Sequence, residues 1–91
     1  MKHSVYFDGK VQSLELSTSK GRATVGVIEP GQYQFSTSSE EHITVVEGRM
    51  KTRLPGAAWR ELGPGEKLVV PKGLAFDIDA AGFVAYICYY L

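Results

Sequence analysis

Apolar and polar residues alternate along three stretches of the chain, and this two-residue period predicts β-strands that turn one face towards a core. No segment shows the 3.6-residue period of an amphipathic helix. Polar or small residues stand between the apolar ones and are therefore expected on the outward faces. The predicted inward sets are Tyr33, Phe35 and Thr37; Met50, Thr52 and Leu54; and Leu74, Phe76 and Ile78.

Turn signals separate these stretches. Short strands at even spacing, joined by glycine and proline turns, are typical of antiparallel sandwiches and barrels. We therefore expect an all-β antiparallel sandwich or barrel that forms a single domain over residues 1–91, because a second domain would have too little apolar surface for its own core. The turn signals are Asp8-Gly9, Lys20-Gly21, Pro30-Gly31, Glu47-Gly48, Pro55-Gly56, Gly63-Pro64-Gly65, Pro71-Lys72-Gly73 and Ala81-Gly82.

The last strand is predicted to be apolar on both faces. In so small a domain, such a strand is more readily covered by a partner subunit than by a second core layer, so we expect a symmetric homodimer. The alternative is burial under the N-terminal strand of the same chain. One face carries Phe83, Ala85, Ile87 and Tyr89, and the other carries Val84, Tyr86, Cys88 and Tyr90.

Composition excludes several classes of protein. Ten basic and ten acidic residues balance, and 44% of the residues are apolar, so the chain is an ordinary globular protein with no electrostatic footprint for nucleic acid. The opening MKHSVYFDGK has no long apolar run, so we expect neither a signal peptide nor a membrane span, and a cytoplasmic location. The single cysteine, Cys88, lies in an apolar segment, where a buried and inert thiol is expected.

Two spacings resemble the two sequence motifs of the cupin family. Glu41 is followed by six residues and then Gly48, and Gly65 is followed by five residues, Pro71, one residue and Gly73. The glycines permit turn dihedrals that other residues avoid, and the proline fixes the entry to a short turn. The resemblance implies a cupin-type antiparallel β-barrel, that is, a jelly roll or double-stranded β-helix.

The metal ligands of metal-binding cupins are absent. Where those proteins carry histidines, this chain has Phe35, Thr37 and Phe76, and only Glu41 remains of the usual set. His42 adjoins Glu41 and is expected on the opposite face of its strand. A lone carboxylate is a poor site for a divalent transition metal, so we predict that the protein holds no metal.

An aromatic pocket with a carboxylate is the expected replacement. A flat organic group could stack on its rings, while Glu41 and Thr37 offer hydrogen bonds to hydroxyls. The alternative is that the inward aromatic residues are simply core. The candidate stacking residues are Tyr33, Phe35, Phe76, Tyr86 and Tyr90.

The chain as a whole resembles the short cupin-type pyrimidine/purine nucleoside phosphorylases of bacteria. The likeness covers nearly all 91 residues, and it implies a homodimer that splits purine and pyrimidine ribonucleosides with phosphate into free base and ribose 1-phosphate. Inorganic phosphate would then be a co-substrate, with no other cofactor. The segments that carry the resemblance are YFDGKVQSL, GRATVGVIEPGQYQFST, EEHITVVEG, VVPKG and YICYYL.

Under this resemblance, two charged residues are assigned to the chemistry. Glu41 is expected to bind ribose hydroxyls beside the developing positive charge, although a buried acid could instead bond the backbone of a turn. Arg22, in SKGRAT, is expected to grip phosphate. No residue is predicted to act as a nucleophile. A non-catalytic cupin that binds a small metabolite is the alternative function, and a metal-dependent cupin enzyme would need ligands that this sequence lacks.

Overall fold

The computed structural model describes all residues from 1 to 91 and consists of strands with one short 3-10 turn, Phe7–Gly9. There is no α-helix, and hence none that could span a membrane. The strands are β1 (His3–Tyr6), β2 (Val11–Thr18), β3 (Gly21–Ile28), β4 (Gly31–Ser36), β5 (Glu41–Glu47), β6 (Met50–Arg53), β7 (Arg60–Leu62), β8 (Lys67–Val70), β9 (Ala75–Ala80) and β10 (Val84–Tyr90).

The strands form two sheets. One has six strands in the order β1-β2-β3-β10-β5-β8, and the other has four in the order β4-β9-β6-β7. Every paired strand runs antiparallel to its neighbour. Apolar side chains from both sheets meet in a single core cluster. These observations confirm the expected all-β antiparallel fold.

Alternation along the strands decides which side chains enter this core. On β4, Tyr33 is buried and Phe35 is partly buried, whereas Gln32 and Gln34 are exposed. On β9, Phe76 is buried and pairs in register with Phe35. Because successive side chains point to opposite faces of a strand, the local pattern was enough to predict the inward face.

The predicted turns fall between the strands, and Gly48 shows why glycine is required at one of them. Gly48 lies between β5 and β6 with φ of 84°. A Cβ atom at this position would collide with the carbonyl oxygen of Phe83. Both the dihedral angle and the close approach of the two backbones therefore demand a residue without a side chain.

The C-terminal strand, β10, is the centre of the six-stranded sheet, where it pairs with β3 on one side and β5 on the other. Val84 and Cys88 point into the core, whereas Ile87 and Tyr89 belong to the outer face and are partly exposed. The N-terminal strand β1 lies at the edge of this sheet beside β2. The alternative that β1 covers β10 is therefore wrong, because β2 and β3 separate these two strands within the same sheet.

Candidate active site

A cavity of about 250 Å³ lies between the two sheets. Aromatic rings from both sheets form much of its wall, and hydroxyl, thiol, carboxylate and guanidinium groups supply its polar atoms. The rings are those of Tyr6, Phe35, Phe76, Tyr86 and Tyr90. The polar side chains are those of Ser13, Arg22, Ser36, Ser38, Glu41 and Cys88.

Glu41 lies at the start of β5 and is only partly accessible to solvent. Its Oε1 atom accepts a hydrogen bond from the Cys88 thiol, with 3.5 Å between the sulfur and oxygen atoms. Burial raises the pKa of the Glu41 carboxyl, and this outweighs the Cys88 bond and the nearby Arg22 charge, which both lower it. A carboxylate with reduced hydration interacts more strongly with positive charge on a bound ligand than one in bulk water does.

Arg22 enters the cavity lining from the beginning of β3. Its Nη1 donates a hydrogen bond to Glu15 Oε1 over 3.1 Å, and its guanidinium carbon lies 4.1 Å from the centroid of the Tyr90 ring. An ion pair on one side and a ring below fix the orientation of this planar group. The Arg22 side chain remains 51% exposed, so its other N–H groups are free to bind an anion.

Tyr86 and Tyr90 project into the cavity from β10, with one residue between them on the inward face. Tyr86 lies over Gly26 of the neighbouring strand, with which it pairs in register; a Cβ atom on Gly26 would lie 2.5 Å from the phenol oxygen. The Tyr90 hydroxyl shares a hydrogen bond with Thr24 Oγ1 at 3.0 Å. Tyr90 is thus held by Thr24 and covered by Arg22. The Tyr86 ring instead packs against Gly26, which has no side chain.

Glu41 and Arg22 are the only acidic and basic side chains in the cavity lining. Burial raises the pKa of the Tyr86 hydroxyl to about 12 and that of the Cys88 thiol to about 12. Burial also raises the pKa of Tyr90, although its bond to Thr24 lowers it in part. The cavity therefore presents one carboxyl group and one guanidinium in a wall of rings and hydroxyls.

Two of the residues proposed from the sequence lie outside the cavity lining. The Tyr33 ring is buried in the core, and its hydroxyl donates to the carbonyl oxygen of Glu29 over 2.7 Å. Thr37 Oγ1 donates to the carbonyl oxygen of Pro71 over 2.7 Å and accepts from the N–H of Leu74 over 3.1 Å. Both hydroxyls are therefore bonded to the backbone, and neither side chain lines the cavity.

The side chains in the cavity can be compared with the ligands that metal-binding cupins use to hold a metal ion. The resemblance to metal-binding cupins places Phe35, Thr37 and Phe76 where those proteins have histidines. The structure brings together no three His, Cys, Asp or Glu side chains that could hold a metal ion. The polar atom of Thr37 is already committed to the backbone. The residues present do not fit a transition-metal site.

Several lining residues were missed from the sequence. Tyr6 and Ser13 lie on β1 and β2, whose pairing places Tyr6 opposite Val11 and Ser13 opposite Ser4. Neither segment has the clear alternation that marked β4 and β9. The Asp8-Gly9 turn signal could have been used to assign the pairing register of β1 and β2. That register would have put Tyr6 on the inward face together with the buried Val11.

The fold and the cavity together define a small, cupin-like all-β protein with an aromatic site that holds one carboxylate and one guanidinium. The chain belongs to the pyrimidine/purine nucleoside phosphorylase family, whose model matches residues 1–90. It is 42% identical to the pyrimidine/purine nucleoside phosphorylase of Yersinia enterocolitica over 100% of this chain and 98% of that protein. It is 46% identical to the protein of the same name from Edwardsiella ictaluri, over 94% of this chain and 93% of that one.

Solved structures agree with this fold. A Vibrio parahaemolyticus protein of unknown function matches with a TM-score of 0.94 and 35% identity, over 99% of this chain and 97% of that one. The EutQ ethanolamine utilization protein of Salmonella typhimurium matches with a TM-score of 0.75 and 21% identity, over 90% of this chain and 72% of that one. The second likeness concerns the fold alone.

Gly26→Ala is expected to impair the site by moving Tyr86. The new methyl group would overlap the ring, since the Cβ position is 2.5 Å from its outer carbon and oxygen atoms, so Tyr86 must turn into the cavity. We expect kcat/KM to fall by roughly tenfold and the protein to lose about 1–3 kcal/mol of stability.

Steady-state kinetics and thermal melting measure the two effects of Gly26→Ala. The double variant Gly26→Ala with Tyr86→Phe provides the control, because removing the phenol oxygen relieves part of the overlap and should recover stability. Unchanged kinetics in Gly26→Ala would show that the position of the Tyr86 ring is unimportant for catalysis.

Proposed function

We propose that this protein is a nucleoside phosphorylase that cleaves purine and pyrimidine ribonucleosides with inorganic phosphate, giving the free base and ribose 1-phosphate. Membership of the family supports the reaction class. The observation that carries the proposal is the cavity itself, an aromatic space with one carboxylate and one guanidinium. These groups match the three parts of the reaction: a flat base, a sugar that becomes cationic, and an anionic nucleophile.

The rings suit a broad range of bases. Phe35 and Tyr86 present aromatic surface to the cavity, and no side-chain amide lines it. Stacking accepts any base because every base has a π-face, whereas discrimination between base edges requires directional donors and acceptors. We therefore propose that purines and pyrimidines share one slot and differ in rate through their fit to its shape.

Glu41 is proposed to act on the sugar. Cleavage of the N-glycosidic bond leaves its electron pair on the base nitrogen and builds positive charge on the ribose, as in glycoside hydrolysis. A half-buried carboxylate stabilises such charge and accepts hydrogen bonds from ribose hydroxyls. The raised pKa of Glu41 then predicts that activity falls on the acid side as the carboxylate becomes protonated.

Arg22 is proposed to hold phosphate. The free N–H groups of its fixed guanidinium are suited to two phosphate oxygens, and the exposed Ser36 and Ser38 hydroxyls line the same cavity. A phosphate oxygen forms the new bond to the anomeric carbon, so no protein nucleophile is needed. The Cys88 thiol, with its pKa raised to about 12, is a poor candidate for one.

The protein is proposed to work without a metal, as a single-domain barrel of the jelly-roll type. The donor set in the cavity supports the first point, since Glu41 has no imidazole partner there. The antiparallel pairing of all strands and the single core cluster support the second. Phosphate then enters as a substrate, and catalysis depends on positioning and on fixed charge.

Base release from a panel of nucleosides tests the function. Purified protein is supplied with inosine, adenosine, uridine or cytidine in three conditions: with phosphate, without phosphate, and with phosphate plus a chelator. We expect release that requires phosphate and survives the chelator, and a Glu41→Gln preparation controls for contaminating enzymes. Binding of nucleosides without turnover would instead indicate a non-catalytic binding protein, and release that requires metal would overturn the proposed mechanism.

We also propose a homodimer that forms through the outer face of the six-stranded sheet. This face is apolar across its central strands, and Leu14, Val25 and Val27 are each nearly half exposed. Leu14 and Val25 are paired in register, and Val25 pairs with Ile87 of β10. A flat apolar sheet face is self-complementary about a two-fold axis and packs on a second sheet at a spacing of about 10 Å.

Val25→Glu is expected to convert this dimer into a monomer, because each copy would place a carboxylate in the middle of an apolar interface. Sedimentation velocity measures the change. Gln32→Glu adds the same charge to the exposed face of β4 and should leave the dimer intact. A monomeric wild-type protein, or a dimer that survives Val25→Glu, would contradict the proposed interface.

A further inference from the structure

The segment between β1 and β2 is strained. Phe7, Asp8 and Gly9 are consecutive residues with positive φ, at 52°, 56° and 89° respectively. Asparagine, aspartate and glycine tolerate this region, but a bulky residue such as phenylalanine is an outlier there. Outliers of this kind persist only where the surrounding structure determines them, and they cluster at functional sites.

Side-chain and backbone contacts hold this turn in place. The Lys10 N–H donates to the Phe7 carbonyl oxygen over 3.1 Å, and Gln12 Nε2 donates to the Gly9 carbonyl oxygen over 2.9 Å. The Phe7 ring packs edge-on against two rings of β4, with its centroid 5.0 Å from that of Tyr33 and 5.3 Å from that of Phe35.

The strained turn fixes the position of the Tyr6 side chain, which directly precedes it in the sequence. Strands β1 and β4 are edges of different sheets, and the rings of Tyr6 and Phe7 bridge the gap between them. The Tyr6 ring lies edge-on to Phe35 with 6.0 Å between centroids. It is one of the rings that line the cavity, yet 46% of Tyr6 is exposed to solvent.

Tyr6 differs from most of the other lining rings in having a free face. Phe76 is 2% exposed and belongs to the core. Tyr90 is covered by the Arg22 guanidinium, and its hydroxyl is bonded to Thr24. No hydrogen bond joins the Tyr6 hydroxyl to another residue, and its ring both lines the cavity and is partly open to solvent.

We infer that Tyr6 is a substrate-binding residue whose ring forms the outer stacking wall for the nucleobase, and that the Phe7–Gly9 turn exists to hold it there. This inference rests on the proposed function, because it names the base-binding wall of that same site. Tyr6 comes from a sheet edge and is open to solvent on one side, so a purine can extend past it while a pyrimidine is still covered.

Tyr6→Leu tests the stacking role, with rates measured against nucleoside and against phosphate separately. We expect the KM for nucleoside to rise about 5- to 150-fold, which is the range for loss of one base–ring stack, while the KM for phosphate stays unchanged. Tyr6→Phe keeps the ring and should stay close to wild type. Trp59→Leu removes a ring of similar exposure, 43%, outside the cavity lining and should change neither constant.

A purely structural role would give a different result. Tyr6→Leu would then lower the melting temperature and raise both KM values together, or leave both unchanged, and either result would overturn the inference. Equal loss in Tyr6→Phe and Tyr6→Leu would also overturn it, since the ring would not be what matters.

A fluorescent variant keeps the inference testable if Tyr6→Leu does not fold or the wild-type protein shows no turnover. Tyr6→Trp places an indole at the proposed wall, and added inosine should quench its emission, whereas inorganic phosphate should not. In wild-type protein, whose single tryptophan lies outside the cavity lining, inosine should have little effect. Quenching without base release would support the stacking role of residue 6 and refute the proposed phosphorylase activity. Normal base release without quenching would support the activity and refute the stacking role.

Discussion

Glu41→Gln is expected to lower kcat by about 10²–10³-fold while raising the thermal stability of the protein. The amide has the shape of the carboxyl group, and its oxygen can still accept the hydrogen bond from the Cys88 thiol, which is 3.5 Å long in the wild type. It lacks the negative charge that would stabilise the cationic sugar. Catalysis and stability should therefore change in opposite directions, as is common where a site holds an unfavourably buried charge.

The sign of the stability change follows from linkage. Burial raises the pKa of Glu41 in the folded state above its ordinary value, so the folded state binds the proton more tightly than the unfolded state does. The stabilisation from Glu41 protonation is fully present below the unfolded pKa and is lost as the pH rises through the folded pKa. The glutamine variant has no such loss, so its advantage over wild type should appear above that pH window.

Melting temperatures and kcat measured over a range of pH would check both effects. Wild-type kcat should decline as the pH falls through the raised pKa of Glu41, and the small residual activity of the variant should lack this decline. Glu47→Gln, at the exposed end of the same strand, is the matched control and should change neither quantity. A kcat that is unchanged in Glu41→Gln, or lost only because the protein melts, would remove Glu41 from the mechanism.

The inward faces of the strands were predictable because they depend on a local rule. Phe35 and Phe76 were assigned to the interior by alternation alone, and the structure places both in the cavity lining. Tyr33 and Thr37 share the inward face of the Phe35 segment, yet they lie outside the lining. Alternation identifies the face of a strand, but it cannot identify the position along the strand at which the two sheets leave space.

The remaining parts of the site depend on contacts between distant segments. Gly26 is part of the site only because β3 pairs with β10 in a register that sets it opposite Tyr86. Glu15 matters because its position on β2 brings it within 3.1 Å of the Arg22 guanidinium. Such pairings are fixed by the fold as a whole, so no pattern within a single segment could indicate them.

Substitution of Arg22 by methionine is expected to raise the KM for phosphate by about 100-fold, which corresponds to the loss of hydrogen bonds to a charged group, while the KM for nucleoside changes little. Arg22→Lys should recover only part of this loss. Lysine restores the charge but not the planar fork, and an ammonium group does not stack on the Tyr90 ring as the guanidinium does at 4.1 Å. Initial rates at varied phosphate and fixed nucleoside give the comparison.

Glu15 and Arg53 supply the controls that separate orientation from charge. Glu15→Gln weakens the ion pair with Arg22 Nη1 but keeps the cation in the cavity, so the KM for phosphate should rise less than in Arg22→Met. Arg53 is stacked on Trp59 and paired with Asp77, away from the cavity, so Arg53→Met should have no effect. Should Arg22→Met raise the KM for nucleoside alone, the guanidinium would belong to the sugar or base, and phosphate would have to bind at the serine hydroxyls instead.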